Sequence, residues 1–455
     1  MGEKKVIGNE TICALATPVG GALAIIRISG PRTFEIVSSI TEKKFEETKS
    51  HTIHFTQISN GSEFIDEVLI SVFRAPHSYT GEDSIEISCH GSSYIINNIL
   101  ELLTGHGCRM ALPGEYTQRA FLNGKMDLSQ AEAVADLIAS TNRASHHVAM
   151  SQMRGNISTT LSQLRDQLLH LTTLLELELD FADHEELEFA DRTELLELTK
   201  KIEIHIEKLI QSFQTGQALK SGIPVAIVGK TNVGKSTLLN RLLKDDRAIV
   251  SDIHGTTRDT IEDTMLIRGV QFRFIDTAGL RQTTDEVEQI GIQRTYAAIE
   301  KARIVLWLFD KEPSEEEFLD MQSRCEGKKL LVIQNKVDLI DTNYNLSSIN
   351  SKLIKLSAKH GTNIEQLEQA IYEAANIPAL NDSDTIVTNA RHYEALCNAL
   401  TSLQRVEQGL SSNLPCDLIA EDLRLVLSSL GEITGGTITS QETLNNIFKN
   451  FCVGK

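Results

Sequence analysis

Four short segments, in a fixed order and each at the end of a strand-like run, limit what this chain can fold into. The first is GKTNVGKS at residues 229–236, between the apolar run VAIV and the helical stretch STLLNRLL. A G-x-x-x-x-G-K-S pattern in that setting forms a loop whose backbone amides curl around phosphate oxygens. Gly229 and Gly234 permit the close approach, and the helix N-terminus that follows adds positive potential. In such a loop Lys235 bridges the β and γ phosphates and the Ser236 hydroxyl reaches Mg2+. Asn232, Val233 and Thr237 complete the set expected to touch the phosphates.

The second segment is DTAG (276–279), after the strand-like FRFI. Here Asp276 is expected to hold Mg2+ through water and the Gly279 amide to sense a γ-phosphate, with Thr277 and Ala278 between them. The third is NKVD (335–338), after LLVIQ. Asp338 offers two acceptor oxygens, which suit guanine N1–H and its 2-amino group and have no matching donor pair on adenine. Asn335 is expected on the purine edge, and the Lys336 stem over the purine face. The fourth is SAK, residues Ser357, Ala358 and Lys359, where the Ala358 amide would meet guanine O6. Together the four predict a GTP-binding domain with a mainly parallel sheet, because strand-like and helical stretches alternate from about residue 221 to residue 378. Between the first two motifs lies GTTRD (255–259), where Thr257 would close the Mg2+ shell only in the presence of a γ-phosphate.

The residue after DTAG is Leu280, where many GTPases carry a water-orienting Gln. Either hydrolysis needs an external partner or another group does this work. Asn232 offers a side-chain carbonyl beside the phosphates, which with backbone carbonyls of the switch loop would hold a monovalent cation in place of an arginine finger. Glu288, in DEVEQIGIQR, is the candidate for positioning water; the competing reading is a solvated carboxylate.

The chain has 455 residues, too many for one core. Residues 1–122 alternate strand-like runs (ALAIIRI, HTIHFTQI, EVLISVF, SIEISC) with the helical YIINNILELL, an α+β domain. Leu161, Leu164, Leu168, Leu171 and Leu175 recur on one helical face, and the period returns after the acidic stretch 183–192. Helical texture resumes beyond 378, with Pro415 and Asp417 marking one start. The expected architecture is therefore multidomain: an α+β domain at 1–122, a helical bundle domain in two halves at 123–220 and 379–455, and a Ras-like P-loop domain at 221–378 inserted between them. Seven cysteines with no CxxC pair read as reduced thiols, and the N-terminus lacks a secretory pattern, so a cytoplasmic location is expected. The net charge of −18 weighs against a free-standing nucleic-acid binder.

The chain resembles the tRNA-modification GTPases of the MnmE/TrmE type over essentially its full length. The shared segments are ATPVGGALAIIRISG, YTGEDSIEISCHG, PGEYTQRAFLNGKMDLSQAEAVADLI, the P-loop, GTTRD, DTAGLR with DEVEQIGI, and LGEITGG…IFKNFCVGK. The resemblance implies an N-terminal folate-binding and homodimerising domain in which Arg27, Glu86, Lys125 and Lys455 hold 5-formyltetrahydrofolate or a related one-carbon folate. It implies that Ser251, Asp252, Ile253, His254, Gly255, Thr256 and Thr257 form the nucleotide-facing switch loop. Asn232, Ser251, Ile253 and Thr256 would be K+ ligands and Glu288 the water-positioning residue, with G domains pairing across their switch faces. It also implies a flavin-dependent partner of the MnmG/GidA type, in a heterotetramer. Together the two would install an aminomethyl or carboxymethylaminomethyl group at C5 of the wobble uridine of certain tRNAs. That partner, by supplying much of the RNA-binding surface, softens the charge objection.

The chain ends FCVGK. Gly454 and Lys455 do not suit a prenylation signal, and a lone lipid would need basic residues that are scarce here, so no membrane anchor is expected. The resemblance makes Cys452 a functional thiol of the modification; the alternative is an inert thiol at a helix end. The competing function is a GTP-gated assembly switch, for instance on ribosome precursors, without one-carbon chemistry.

Overall fold

The computed structural model describes residues 10–61, 63–180, 192–244, 263–275, 288–339, 353–377, 385–412, 414–436, 441–449, 451 and 454. The chain divides into two compact units. One comprises residues within 1–138, 152–203 and 395–455, the other residues within 139–151 and 204–394.

The first unit opens with β1 (Ile12–Leu15), β2 (Leu23–Ser29), α1 (Thr33–Ile40), β3 (Thr52–Asn60), β4 (Glu63–Phe73), β5 (Ser84–His90), α2 (Ser93–Gly105), β6 (Arg109–Met110), α3 (Glu115–Leu122) and α4 (Leu128–Ala139). The strands form one sheet in the order β3-β4-β5-β2-β1-β6, antiparallel except for the parallel β1–β6 pair. The four expected strands are β2 to β5. β1 and β6 are four and two residues long, too short to stand out in the sequence. Successive side chains of a strand alternate between faces. Ile26 and Ile28, Val68, Ile70 and Val72, and Ile85 and Ile87 therefore turn into a core with Ile36 and Val37 of α1 and Ile99 and Leu103 of α2. The alternate positions Arg27 and Glu86 lie on the opposite face, directly across from one another.

Next come α5 (Arg143–Met153), α6 (Asn156–Asp180) and α7 (Arg192–Ser221). The leucine stripe of α6 is wholly buried, from Leu161 to Leu175.

The second sheet contains β7 (Ile223–Val228), followed by α8 (Lys235–Lys244), β8 (Asp263–Ile267), β9 (Val270–Phe274), α9 (Glu288–Lys301), β10 (Ile304–Phe309), α10 (Glu315–Arg324), β11 (Lys329–Gln334), β12 (Leu353–Lys355) and α11 (Ile364–Ala374). Its order is β12-β11-β10-β7-β9-β8, parallel except for the β8–β9 hairpin. Every residue of β10, IVLWLF, is buried, as expected for a central parallel strand covered on both faces. Residues 139–151 belong to this unit. Ala144 donates its amide to the Gly269 carbonyl at 3.1 Å, Asn142 and Thr141 donate to Gln271 Oε1, and Ala144 and Val148 share the core with Met265, Ile267 and Val270.

The chain closes with α12 (Ala390–Ser411), α13 (Cys416–Thr434) and α14 (Gln441–Phe448). α13 packs along α6, and Pro415 and Asp417 stand at its start as expected. Among the described residues no helix is long and apolar enough to cross a membrane.

Candidate functional site

β7, β10, β11 and β12 run parallel, so the segments that follow them emerge along one edge of the sheet. After β7 the P-loop turns on Gly229 (φ 151°) and Gly234 (φ 99°), with Asn232 left-handed at φ 62°. A Cβ on Gly229 would lie 2.2 Å from the Leu308 carbonyl oxygen, and one on Gly234 2.3 Å from Asn335 Nδ2. Only glycine fits either place. Lys235 opens α8, and its Nζ donates to the carbonyls of Gly229 (2.7 Å) and Lys230 (2.8 Å) across the mouth of the loop. Burial lowers its pKa, so the ammonium gains from any anion brought to it. Ser236 and Thr237 follow in the first turn of α8.

Asn335, after β11, is buried at 2% exposure. Its Nδ2 donates to the Val233 carbonyl at 2.7 Å, and its Oδ1 accepts from the Ala358 amide at 3.0 Å. It thus ties the P-loop to the SAK segment. Lys336 Nζ donates to the Asn232 carbonyl and to Asp310 Oδ2, both at 2.7 Å. Asp338 is held below the ordinary carboxylate pKa chiefly by a hydrogen bond from the Ser357 side chain, against a smaller opposing effect of burial. It therefore stays an ionised double acceptor at neutral pH. His360 stands 3.5 Å from it. Lys359 lies beside Ala358 on the same edge.

The structure thus brings together Asn232 to Thr237, Asn335, Lys336, Asp338 and Ser357 to Lys359. Ser251 to Thr257, Asp276 to Gly279 and Leu280 lie outside the described residues. Glu288 is the first residue of α9. Asp310, at the end of β10, was not singled out in the sequence; the available signal was a carboxylate directly after a wholly apolar strand.

A second cluster lies on the open face of the first sheet. Arg27 donates through Nε (2.9 Å) and Nη2 (2.7 Å) to Glu86 Oε1. The same guanidinium lies 5.4 Å from the Tyr79 ring centroid and 5.6 Å from that of Tyr116, and Nη1 donates to the Gly454 carbonyl at 3.3 Å. Gly454 is left-handed (φ 90°), and a Cβ there would lie 2.4 Å from the Leu15 carbonyl oxygen. Lys125 Nζ donates to the Pro76 carbonyl at 2.8 Å. The penultimate residue, Gly454, therefore touches Arg27, while Cys452 and Lys455 lie outside the described residues. Beneath this cluster Arg119 (2% exposed) bonds to Glu82 and Glu115, and Glu115 (1% exposed) also accepts from Arg109.

The family model for the MnmE helical domain matches residues 128–452, and that for the GTP-binding protein TrmE N-terminus matches residues 11–125. The tRNA modification GTPase MnmE of Phocaeicola vulgatus is 53% identical, with 99% of this chain and 100% of that protein covered. The chain belongs to the MnmE family of tRNA modification GTPases. Proteins of the same description from Bacteroides thetaiotaomicron and Flavobacterium johnsoniae are each 51% identical to this MnmE-family chain, over 99% of it and 100% of their own lengths. The FeoB G-domain of Methanococcus jannaschii covers 33% of this MnmE-family chain and 96% of its own, at 28% identity and a TM-score of 0.25.

Proposed function

We propose that the chain is a K+-stimulated GTP hydrolase, coupled to dimerisation of its G domains, that works in the cytoplasm on tRNA. With a flavin-dependent partner of the MnmG/GidA type, in a heterotetramer, it installs an aminomethyl or carboxymethylaminomethyl group at C5 of the wobble uridine. The observation that carries the reading is the convergence of the P-loop, NKVD and SAK segments on one sheet edge, stapled by Asn335. The four-part division at residues 122, 220 and 378 is kept as the functional organisation, with the G domain at 221–378.

The residues present fit the groups this reading needs. The collisions that a Cβ would make at Gly229 and Gly234 show a loop packed tightly on β10 and NKVD, whose glycine turns suit a phosphate cradle, and Ser236 in the first turn of α8 would supply an oxygen ligand for Mg2+. Thr257 and Asp276 would complete that shell. Bound Mg2+ neutralises charge between the β and γ phosphates. In this chain Lys235 would hold the phosphate and Asp338 orient the guanine; Asn232, with Ser251, Ile253 and Thr256, would hold K+, which would supply positive charge where charge develops. Glu288 positions the water that Leu280 cannot. At the second cluster the Arg27 guanidinium, flanked by two aromatic rings, suits an anionic and ring-bearing ligand such as a one-carbon folate. Glu86, Lys125 and Lys455 share that ligand, and the tail brings Cys452 to it as a functional thiol.

The test is GTP turnover by the full chain in KCl and in NaCl at equal ionic strength, with Asn232→Ala as control. Stimulation by KCl that disappears in the variant is the expected result. Equal, slow turnover in both salts would sink the cation reading and point to an external activator.

A further inference from the structure

Two non-glycine residues of the candidate nucleotide site, Asn232 and Lys336, both hold the left-handed backbone conformation at φ 62°. Such conformations persist where the surroundings over-determine them. One ammonium links the two: Lys336 Nζ donates to the Asn232 carbonyl and to Asp310 Oδ2, each at 2.7 Å. We infer that Asp310 is a positioning residue for guanine-nucleotide binding. It holds the Lys336 ammonium against the Asn232 carbonyl, and so fixes both the lysine stem at the base and the P-loop turn at the phosphates.

The side chains of Lys336 and Asp310 are about one third and one quarter exposed, so the pair is partly shielded from water. The hydrogen bond from Lys336 is the main cause that holds the Asp310 carboxyl below its ordinary pKa, so the carboxyl is ionised at neutral pH. A carboxylate suits the place better than a neutral acceptor. The ammonium lies against the Asn232 carbonyl of the P-loop, and without a balancing charge it would be drawn further toward bound phosphates and take the lysine stem off the purine face. Asp310 reaches this place because β10 is paired with both β7 and β11, which puts the residue that follows it between the P-loop and NKVD.

The inference rests on the reading of Lys336 as the residue that packs on the base. A double-mutant cycle on the full chain tests it, with the affinity of a fluorescent GDP analogue as readout and the thermal unfolding midpoint beside it. The variants are Asp310→Ala, Asp310→Asn (which keeps the size), Lys336→Ala, and the double Asp310→Ala/Lys336→Ala. Both Asp310 variants are expected to weaken binding by about tenfold with little change in midpoint, and the double variant to bind no worse than Lys336→Ala alone. A role confined to stability would move the midpoint and add in full to the lysine change. That additive result overturns the inference, as does wild-type affinity in both Asp310 variants. If Lys336→Ala itself binds like wild type, the reading of the lysine falls and takes the inference with it. If only Lys336→Ala weakens binding, the lysine reading stands and the inference alone falls.

Discussion

Asn335 and Val233, 102 residues apart, are joined by a hydrogen bond from side-chain Nδ2 to backbone carbonyl at 2.7 Å in a buried setting. The residue of NKVD that the motif assigns to the purine edge thus spends its amide on two pieces of backbone. Asn335→Ala leaves the Val233 carbonyl and the Ala358 amide without this partner. Each buried group so exposed costs about 1–3 kcal/mol. The expected outcome is a lower unfolding midpoint of the G-domain unit together with weaker GTP binding, read by calorimetry and by nucleotide titration. Gly234→Ala should do the same, since its Cβ would meet that amide at 2.3 Å.

Asp338 should govern base choice without governing stability. Guanine presents a 2-amino donor where xanthine presents a carbonyl. Asp338→Asn replaces one acceptor with a donor, so it should trade GTP for XTP, with a shift in preference of at least about a hundredfold. Competition binding with GTP, XTP and ATP reads this directly. An unchanged preference for GTP would place guanine recognition elsewhere.

The buried carboxylate Glu115 predicts an acid sensitivity. Burial alone pushes its pKa up, but hydrogen bonds from Arg109, the Leu112 amide and Arg119 outweigh it and hold the carboxyl below the ordinary value. A folded-state value below the unfolded one contributes stability that is fully present above the unfolded pKa, about 4.3, and is lost as pH falls through the folded value. Glu115→Ala removes one of the two carboxylates that pair with the buried Arg119, leaving Glu82, and should cost about 3 kcal/mol. Glu115→Gln should cost less and flatten the loss of stability in acid. Unfolding midpoints of wild type and both variants, between neutral pH and about pH 2, provide the check.

Gly454 should control the tail. Alanine there is strained at φ 90° and meets the Leu15 carbonyl. Gly454→Ala is expected to release the contact with Arg27 and weaken 5-formyltetrahydrofolate binding by about tenfold, the scale of one charged hydrogen bond. GTP turnover should be unaffected. Equal loss of both activities would mean that the tail serves the fold and not the folate site.

The sequence was most readable where a residue type is dictated by backbone geometry or by a full run of burial. The glycines of the P-loop, the all-apolar β10 and the leucine stripe of α6 needed no partner to be recognised. Asp310 and the double hydrogen bond of Asn335 were hidden because they depend on which strand ends become neighbours, which spacing along the chain does not reveal. The placement of α5 was hidden for a related reason. An amphipathic helix declares that it has an apolar face, not which surface that face will cover. β1 was too short to separate from loop.

Because Ala144 and Val148 of α5 lie over Met265, Ile267 and Val270, the nucleotide-binding part is not a self-contained cassette in the gene. A fragment cut at residues 221 and 378 would carry the whole phosphate cradle but leave bare the apolar seam of the β8–β9 hairpin. Reassortment of this module with other partners would have to bring along a short stretch encoded some 70 codons upstream, or invent a new cover for the seam.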